Sequence, residues 1–222
     1  MFDNMIQCQQ PKEENNKLSK SKKSENLKLN GIFKLKLIGE IFKTYILAEY
    51  GDKFIIVDKH AAHERIIYEK LKKNRTNNLE KQVLMTPLNI SINSSLECEL
   101  ILNNLRIFSN LGFEIEHFGN HSFLIRAVPA VLTKQNCLEI FNEIVENLKL
   151  EKFDLTPQTI EKILHQMACK AAITANCENS NDQLYELVKS IYFNKNIRTC
   201  PHGRPVLLIF SKERLDSDFK RI

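Results

Sequence analysis

The sequence predicts an α+β domain of two lobes, and three observations lead there. Strand-like runs rich in branched apolar residues cluster early, in KLKLIGEIF, TYILAEY and KFIIVDKH. A separate strand pair, FEIEHFG and HSFLIRAVP, lies near the middle, and helical apolar spacing fills the stretches between and after these runs. At 222 residues and 43% hydrophobic content, the chain can build one sizeable domain or two small lobes around a real core.

Residues 1 to about 29 are mostly Lys, Glu, Asn, Ser and Gln, with too few aromatic or branched groups to offset the entropy of ordering. They are expected to be a disordered linker or tail. From Leu35 the three early runs form an antiparallel meander, with Gly51-Asp52 as the tight turn between the second and third. The third run leads straight into AAHERIIYEKLKK, where Ala61, Ile66, Ile67 and Leu71 suit a helix.

Next, QVLMTPLNISIN reads as a strand interrupted by Pro87, and LECELILNNLRIFSNL as one helix ended by Gly112. The central strand pair turns at Gly119-Asn120 and precedes an amphipathic helix in CLEIFNEIVENLKL. A further helix starts at Pro157, a residue suited to a first helical turn, and runs through ILHQMACKAAITAN. NDQLYELVKSIYFN gives another helix, CPHGRPVLLIF a turn and an apolar strand, and KERLDSDFKRI a short terminal helix.

No apolar run approaches the roughly 20 residues that span a bilayer, and the first residues lack a secretory apolar stretch, so a cytoplasmic protein with no membrane partner is expected. The six cysteines (Cys8, Cys98, Cys137, Cys169, Cys177, Cys200) are irregularly spaced in a chain too large to need staples, which favours reduced thiols. A net charge of +5 permits phosphate contacts without demanding them.

Two constellations can carry chemistry. In DKHAAHERIIYE, residues 58–69, Asp58 closes a strand while His60 and Glu64 stand four residues apart on one helical face, a geometry that can hold a metal. Isolated His-x-x-x-Glu spacing is more often a solvated face with a capping Asp. His63 is expected to be exposed. In CPHGRP, residues 200–205, Cys200 and His202 flank a proline, so one turn can present a thiolate and an imidazole toward one point. Gly203 permits positive φ there, and Arg204 offers a fork matched to phosphate or carboxylate. Cys169, in QMACKAA, is by itself most simply a small buried hydrophobe. Together the motifs supply a mixed donor set usable by zinc or manganese.

Lys70, Lys72, Lys73 and Arg75 at the end of the first helix can follow a DNA backbone, and the helix macrodipole accounts for them equally well.

DKHAAHERIIYE resembles the DQHAxxExxxxE signature of endonuclease-competent MutL mismatch-repair proteins, and MACKAA with CPHGRP resembles their other two site motifs in the same order. The resemblance covers about residues 31–222. It departs at Lys59, where the family pattern has Gln, and at Lys170, where it often has Arg; neither removes a candidate ligand. Lys59 can alter the electrostatics near the metals.

The resemblance implies a MutL C-terminal domain: a homodimerising lobe from residues 31–75 and 168–222, with an inserted external or regulatory lobe at 76–167. It implies catalytic Asp58 and Glu64, metal ligands among His60, Glu64, Cys169, Cys200 and His202, and support from Glu69 and Arg204. Zinc would be structural or regulatory and manganese or magnesium catalytic, in a domain that nicks one strand of duplex DNA. Asp58 can bind a metal or orient the attacking water, and the residues do not choose between these roles.

The segment QVLMTP resembles the motif by which bacterial MutL proteins engage the replication sliding clamp, with Gln82, Leu84, Met85 and Pro87 matching; otherwise it is an edge strand ended by proline. The mismatch-recognition protein MutS is a further implied partner. The alternative is a dimerisation and clamp-docking module with structural zinc and no cleavage.

Overall fold

The computed structural model describes residues 34–74, 79–151, 155–174, 179–194, 197–200 and 203–221. The expected linker over residues 1–29 lies outside them, as do Arg75 and His202. The elements run β1 (Lys36–Ile41), β2 (Tyr45–Tyr50), β3 (Lys53–Asp58), α1 (Lys59–Asn74), β4 (Lys81–Ser91), α2 (Ser95–Asn103), α3 (Leu105–Asn110), β5 (Glu114–His117), β6 (Ser122–Pro129), α4 (Lys134–Leu150), α5 (Pro157–Thr174), α6 (Asn181–Phe193), β7 (Leu207–Ser211) and α7 (Lys212–Asp218). The protein is α+β, with two antiparallel sheets ordered β1-β2-β3-β7 and β4-β6-β5.

Two compact units result. The first joins the chain up to Lys59 with residues 177–198 and 205–222, and the second holds residues 60–176 and 199–204. The division falls at the start of α1. The reason is packing: Ile67, Tyr68 and Leu71 of α1 are buried in the second unit's core, beside Leu164 and Ala168 of α5.

In the first unit, the predicted meander gains β7 as its fourth strand beside β3. Ile46, Ala48, Ile55 and Val57 alternate onto one face and are fully buried, and α6 packs on β1 and β2 with Leu184, Leu187, Val188 and Ile191 turned inward. A capping box of Ser180 and Gln183 starts α6. The opposite sheet face leaves Ile41, Tyr45 and Leu208 partly exposed.

The β1–β2 turn places Phe42 and Lys43 at positive φ, both 53°, where Asn or Gly is usual. The β1–β2 pairing also contains a bulge: Leu37 pairs with Ala48 but Gly39 with Leu47, so Ile38 is an extra residue.

In the second unit, a stripe of Cys137, Ile140, Phe141, Ile144, Val145 and Leu148 buries one side of α4, and Phe108, Phe113 and Phe141 pack around it. The helix expected over residues 96–111 is broken in two at Asn104. Its buried side chain donates to the Leu100 carbonyl at 2.9 Å, a local hydrogen bond that competes with helix continuation. Gly112 follows α3 at φ 89°, with Pro129 so close that an added Cβ would sit 3.2 Å from its backbone.

Pro87 does not end β4. The strand continues to Ser91 because it lies at the sheet edge, where the irregularity between Val83 and Leu88 takes up the missing N–H.

Candidate functional site

Helix α1 starts directly from β3, so Asp58 is the last strand residue and His60 the second helical one. Asp58 is half-buried, and its N–H donates to the Val206 carbonyl at 3.0 Å. His60 is exposed, whereas Glu64, one turn on, is buried to 5% exposure. His63 is half-buried, not exposed. A carboxylate this deep needs compensating groups close by.

Helix α5 runs antiparallel to α1. Lys72 Nζ meets Glu161 at 2.6 Å, and the Tyr68 and His165 rings stack with centroids 4.0 Å apart. One further four-residue step along each helix sets Glu64 beside Cys169, close enough for its charge to act on the thiol. Burial pushes the Cys169 thiol above its ordinary value, Glu64 pushes it further, and Lys170 pulls it back. Lys170 itself is ion-paired with Glu139.

Cys200 is buried at the start of a tight turn in the same unit. The Gly203 N–H donates to the Cys200 carbonyl at 2.9 Å, and the Cys200 N–H to the Arg204 carbonyl at 2.7 Å. Gly203 has φ 80°, the positive value its motif position suggested, and Arg204 is exposed.

Among the described residues, no group of three or more His, Cys, Asp and Glu side chains gathers closely enough to hold a metal. Glu64 is buried and lies near enough to the half-buried Cys169 for its charge to raise that thiol. A carboxylate and a thiol so placed can serve as two of the ligands of a divalent cation. Thiol, carboxylate and imidazole donors together suit zinc, and the carboxylates suit manganese or magnesium.

Arg65 and His165, near this pair, were not singled out from the sequence. Arg65 sits over the Tyr68 ring at 5.6 Å and pairs with Glu69 at 2.7 Å, so Glu69 braces the helix through Arg65. His165, four residues before Cys169, was the available signal for the stacked contact. Lys59 is turned to Glu40 on β1, Nζ to Oε1 2.5 Å, so its charge is matched within the first unit. Lys72 is engaged by Glu161, while Lys73 is exposed.

Of the QVLMTP residues, Gln82 and Met85 are exposed, Met85 completely, Pro87 is half-buried and Leu84 is buried in the core. Val83, outside the matched set, is 75% exposed. No helix among the described residues is long and apolar enough to cross a membrane.

Residues 38–179 match the model of the MutL C terminal dimerisation domain. The DNA mismatch repair protein MutL of Caldanaerobacter subterraneus subsp. tengcongensis is 37% identical over 188 residues, covering 85% of this chain and 32% of the relative. The protein of the same name from Thermoanaerobacter pseudethanolicus is 36% identical over 211 residues, covering 95% of this chain and 33% of the relative. One from Clostridium botulinum is 35% identical over 189 residues, 85% of this chain and 28% of the relative. The chain thus spans about a third of the length of the curated relatives it matches. The chain belongs to the MutL C-terminal dimerisation domain family.

Proposed function

We propose that this domain is a metal-dependent endonuclease that nicks one strand of duplex DNA in mismatch repair. The observation that carries the reading is the pairing of buried Glu64 with Cys169 across two helices, next in sequence to Asp58 and His60. A solvated helix face would leave Glu64 in water.

His60, Glu64, Cys169, Cys200 and His202 would hold the metals, zinc on the thiols and manganese or magnesium on the carboxylates. When bound, these ions supply charge neutralisation and Lewis acidity to the phosphodiester. Asp58 orients the attacking water and takes its proton at a carboxylate oxygen. The Tyr68–His165 stack and the Lys72–Glu161 pair keep α1 and α5 in register, which holds Glu64 near Cys169. Arg204, exposed beyond the Cys200 turn, can engage a phosphate of the DNA.

The domain acts as a homodimer in this reading, and the partly exposed Ile41, Tyr45 and Leu208 on one sheet face of the first unit are suited to a second copy. Gln82, Met85 and Pro87 on the edge strand β4 would engage the replication sliding clamp, with Leu84 holding the segment to the core. The mismatch-recognition protein MutS would recruit the whole protein. A purely docking and dimerising module with structural zinc is the alternative, favoured by the family's description as a dimerisation domain.

The test is conversion of supercoiled plasmid to open circles with manganese and sliding clamp present, comparing wild type with Asp58→Asn. Nicking by wild type alone supports the endonuclease reading. Equal inertness of both proteins, with dimerisation and zinc binding intact, supports the docking module.

A further inference from the structure

Lys59 is the first residue of α1, between Asp58 and His60, and it is a poor choice on local grounds. A cation at a helix start opposes the macrodipole, and this one is nearly buried, its side chain only 7% exposed. Its compensation comes from Glu40 of β1, whose carboxylate is 21% exposed and lies 2.5 Å from the ammonium.

The bulge in β1 makes this contact available. With the extra residue, Glu40 pairs with Ile46, a fully buried position; in unbulged register it would pair with Tyr45, whose side chain lies on the opposite, more exposed face. One inserted residue thus re-aims Glu40 toward Lys59. The same turn is held a second time, because the Lys59 N–H donates to the Thr44 carbonyl at 2.9 Å. Both ties bind the first residue of α1 to the β1–β2 hairpin, whose tip is strained at Phe42 and Lys43.

A buried ion pair adds little net stability over an apolar substitute, but it tolerates few alternative geometries. We infer that Glu40 and Lys59 are a positioning pair that fixes the end of β3 at Asp58 against the β1–β2 hairpin, so that the carboxylate of the proposed nuclease keeps a set orientation. The inference rests on the endonuclease reading for its catalytic consequence and on the observed pair alone for its structural one. Neither residue is a catalytic residue, since each acts through the end of β3.

The experiment compares wild type, Glu40→Gln, Lys59→Gln and the double variant Glu40→Gln/Lys59→Gln in the full chain. Backbone hydrogen exchange is followed in peptides covering residues 56–62 and 66–72, and plasmid nicking is measured against manganese concentration. Each single variant leaves one buried charge uncompensated, whereas the double variant keeps a neutral amide pair. The expected result is faster exchange at 56–62 with 66–72 unchanged in both single variants, and nicking reduced about tenfold at saturating manganese. Recovery of both readouts to within about threefold of wild type is expected in the double variant. Wild-type exchange at 56–62 in the single variants overturns the inference, as does a rise spread equally over both peptides. If wild type does not nick, the endonuclease reading fails by itself, and the exchange pattern still decides whether the pair positions the end of β3.

Discussion

Tyr68 and His165 stack with ring centroids 4.0 Å apart and planes 13° from parallel, and this contact fixes the register of α1 against α5. One turn toward the start of α1 and one toward the end of α5, the same register brings Glu64 to Cys169. A ring contact with no chemistry of its own therefore determines which polar groups meet.

Removing that contact has a measurable cost. Tyr68→Ala is expected to lower stability by about 3 kcal/mol, the usual size for truncating a buried aromatic, while Tyr68→Phe keeps the stack and loses only about 1 kcal/mol. Urea unfolding of the two variants checks this. Equal losses would mean that the hydroxyl, which accepts from Lys72 at 3.4 Å, matters more than the ring.

The charge of Glu64 is predicted to slow the chemistry of Cys169. Burial first and Glu64 second hold that thiol above its ordinary value, so Glu64→Gln lowers it and enlarges the thiolate fraction. In metal-free buffer near pH 8, iodoacetamide should modify Cys169 faster in the variant. An unchanged rate, read by peptide mass spectrometry, would separate the two residues.

Cys137 sets a limit at alkaline pH. Burial pushes its thiol up to about 12 from 9.0, so the unfolded chain loses this proton before the folded one does. The sign follows: the contribution is fully present below pH 9 and is lost progressively as pH rises toward 12. Cys137→Ala should flatten stability between pH 9 and 11, measured by denaturant titration at each pH, although its core cavity lowers stability throughout. An identical alkaline slope in both proteins would assign the loss elsewhere.

The clamp segment separates exposure from packing. Met85→Ala should leave the melting temperature unchanged and abolish clamp stimulation of nicking, because the side chain is wholly exposed. Leu84→Ala should cost about 2 to 4 kcal/mol, because it opens a hole in the core. Clamp binding by Met85→Ala at wild-type affinity, measured by surface plasmon resonance, would remove the segment from the interface.

Most of the fold was legible because each sheet and long helix carries its own period: the meander alternates through Ile46, Ala48, Ile55 and Val57, and α4 shows an uninterrupted apolar stripe. What was hidden depends on tertiary partners. The break at Asn104 comes from one side-chain hydrogen bond, and β4 passes Pro87 because it is an edge strand. The unit boundary at Lys59 follows from the apolar side of α1 packing in the second core, which spacing alone does not assign. At the candidate site, the motifs named Glu64 and Cys169 separately. Their pairing, the role of His165 and the match of Lys59 with Glu40 required a register between distant segments.

The decisive measurement is zinc K-edge X-ray absorption of the zinc-loaded chain, wild type against Cys169→Ser, with zinc content determined in parallel for Glu64→Gln. A metal held between α1 and α5 predicts sulfur scatterers near 2.3 Å in wild type, one fewer in Cys169→Ser, and weakened zinc retention in Glu64→Gln. Stoichiometric zinc with an unchanged sulfur shell in Cys169→Ser would contradict it, because the Glu64–Cys169 pair would then lie outside the metal site.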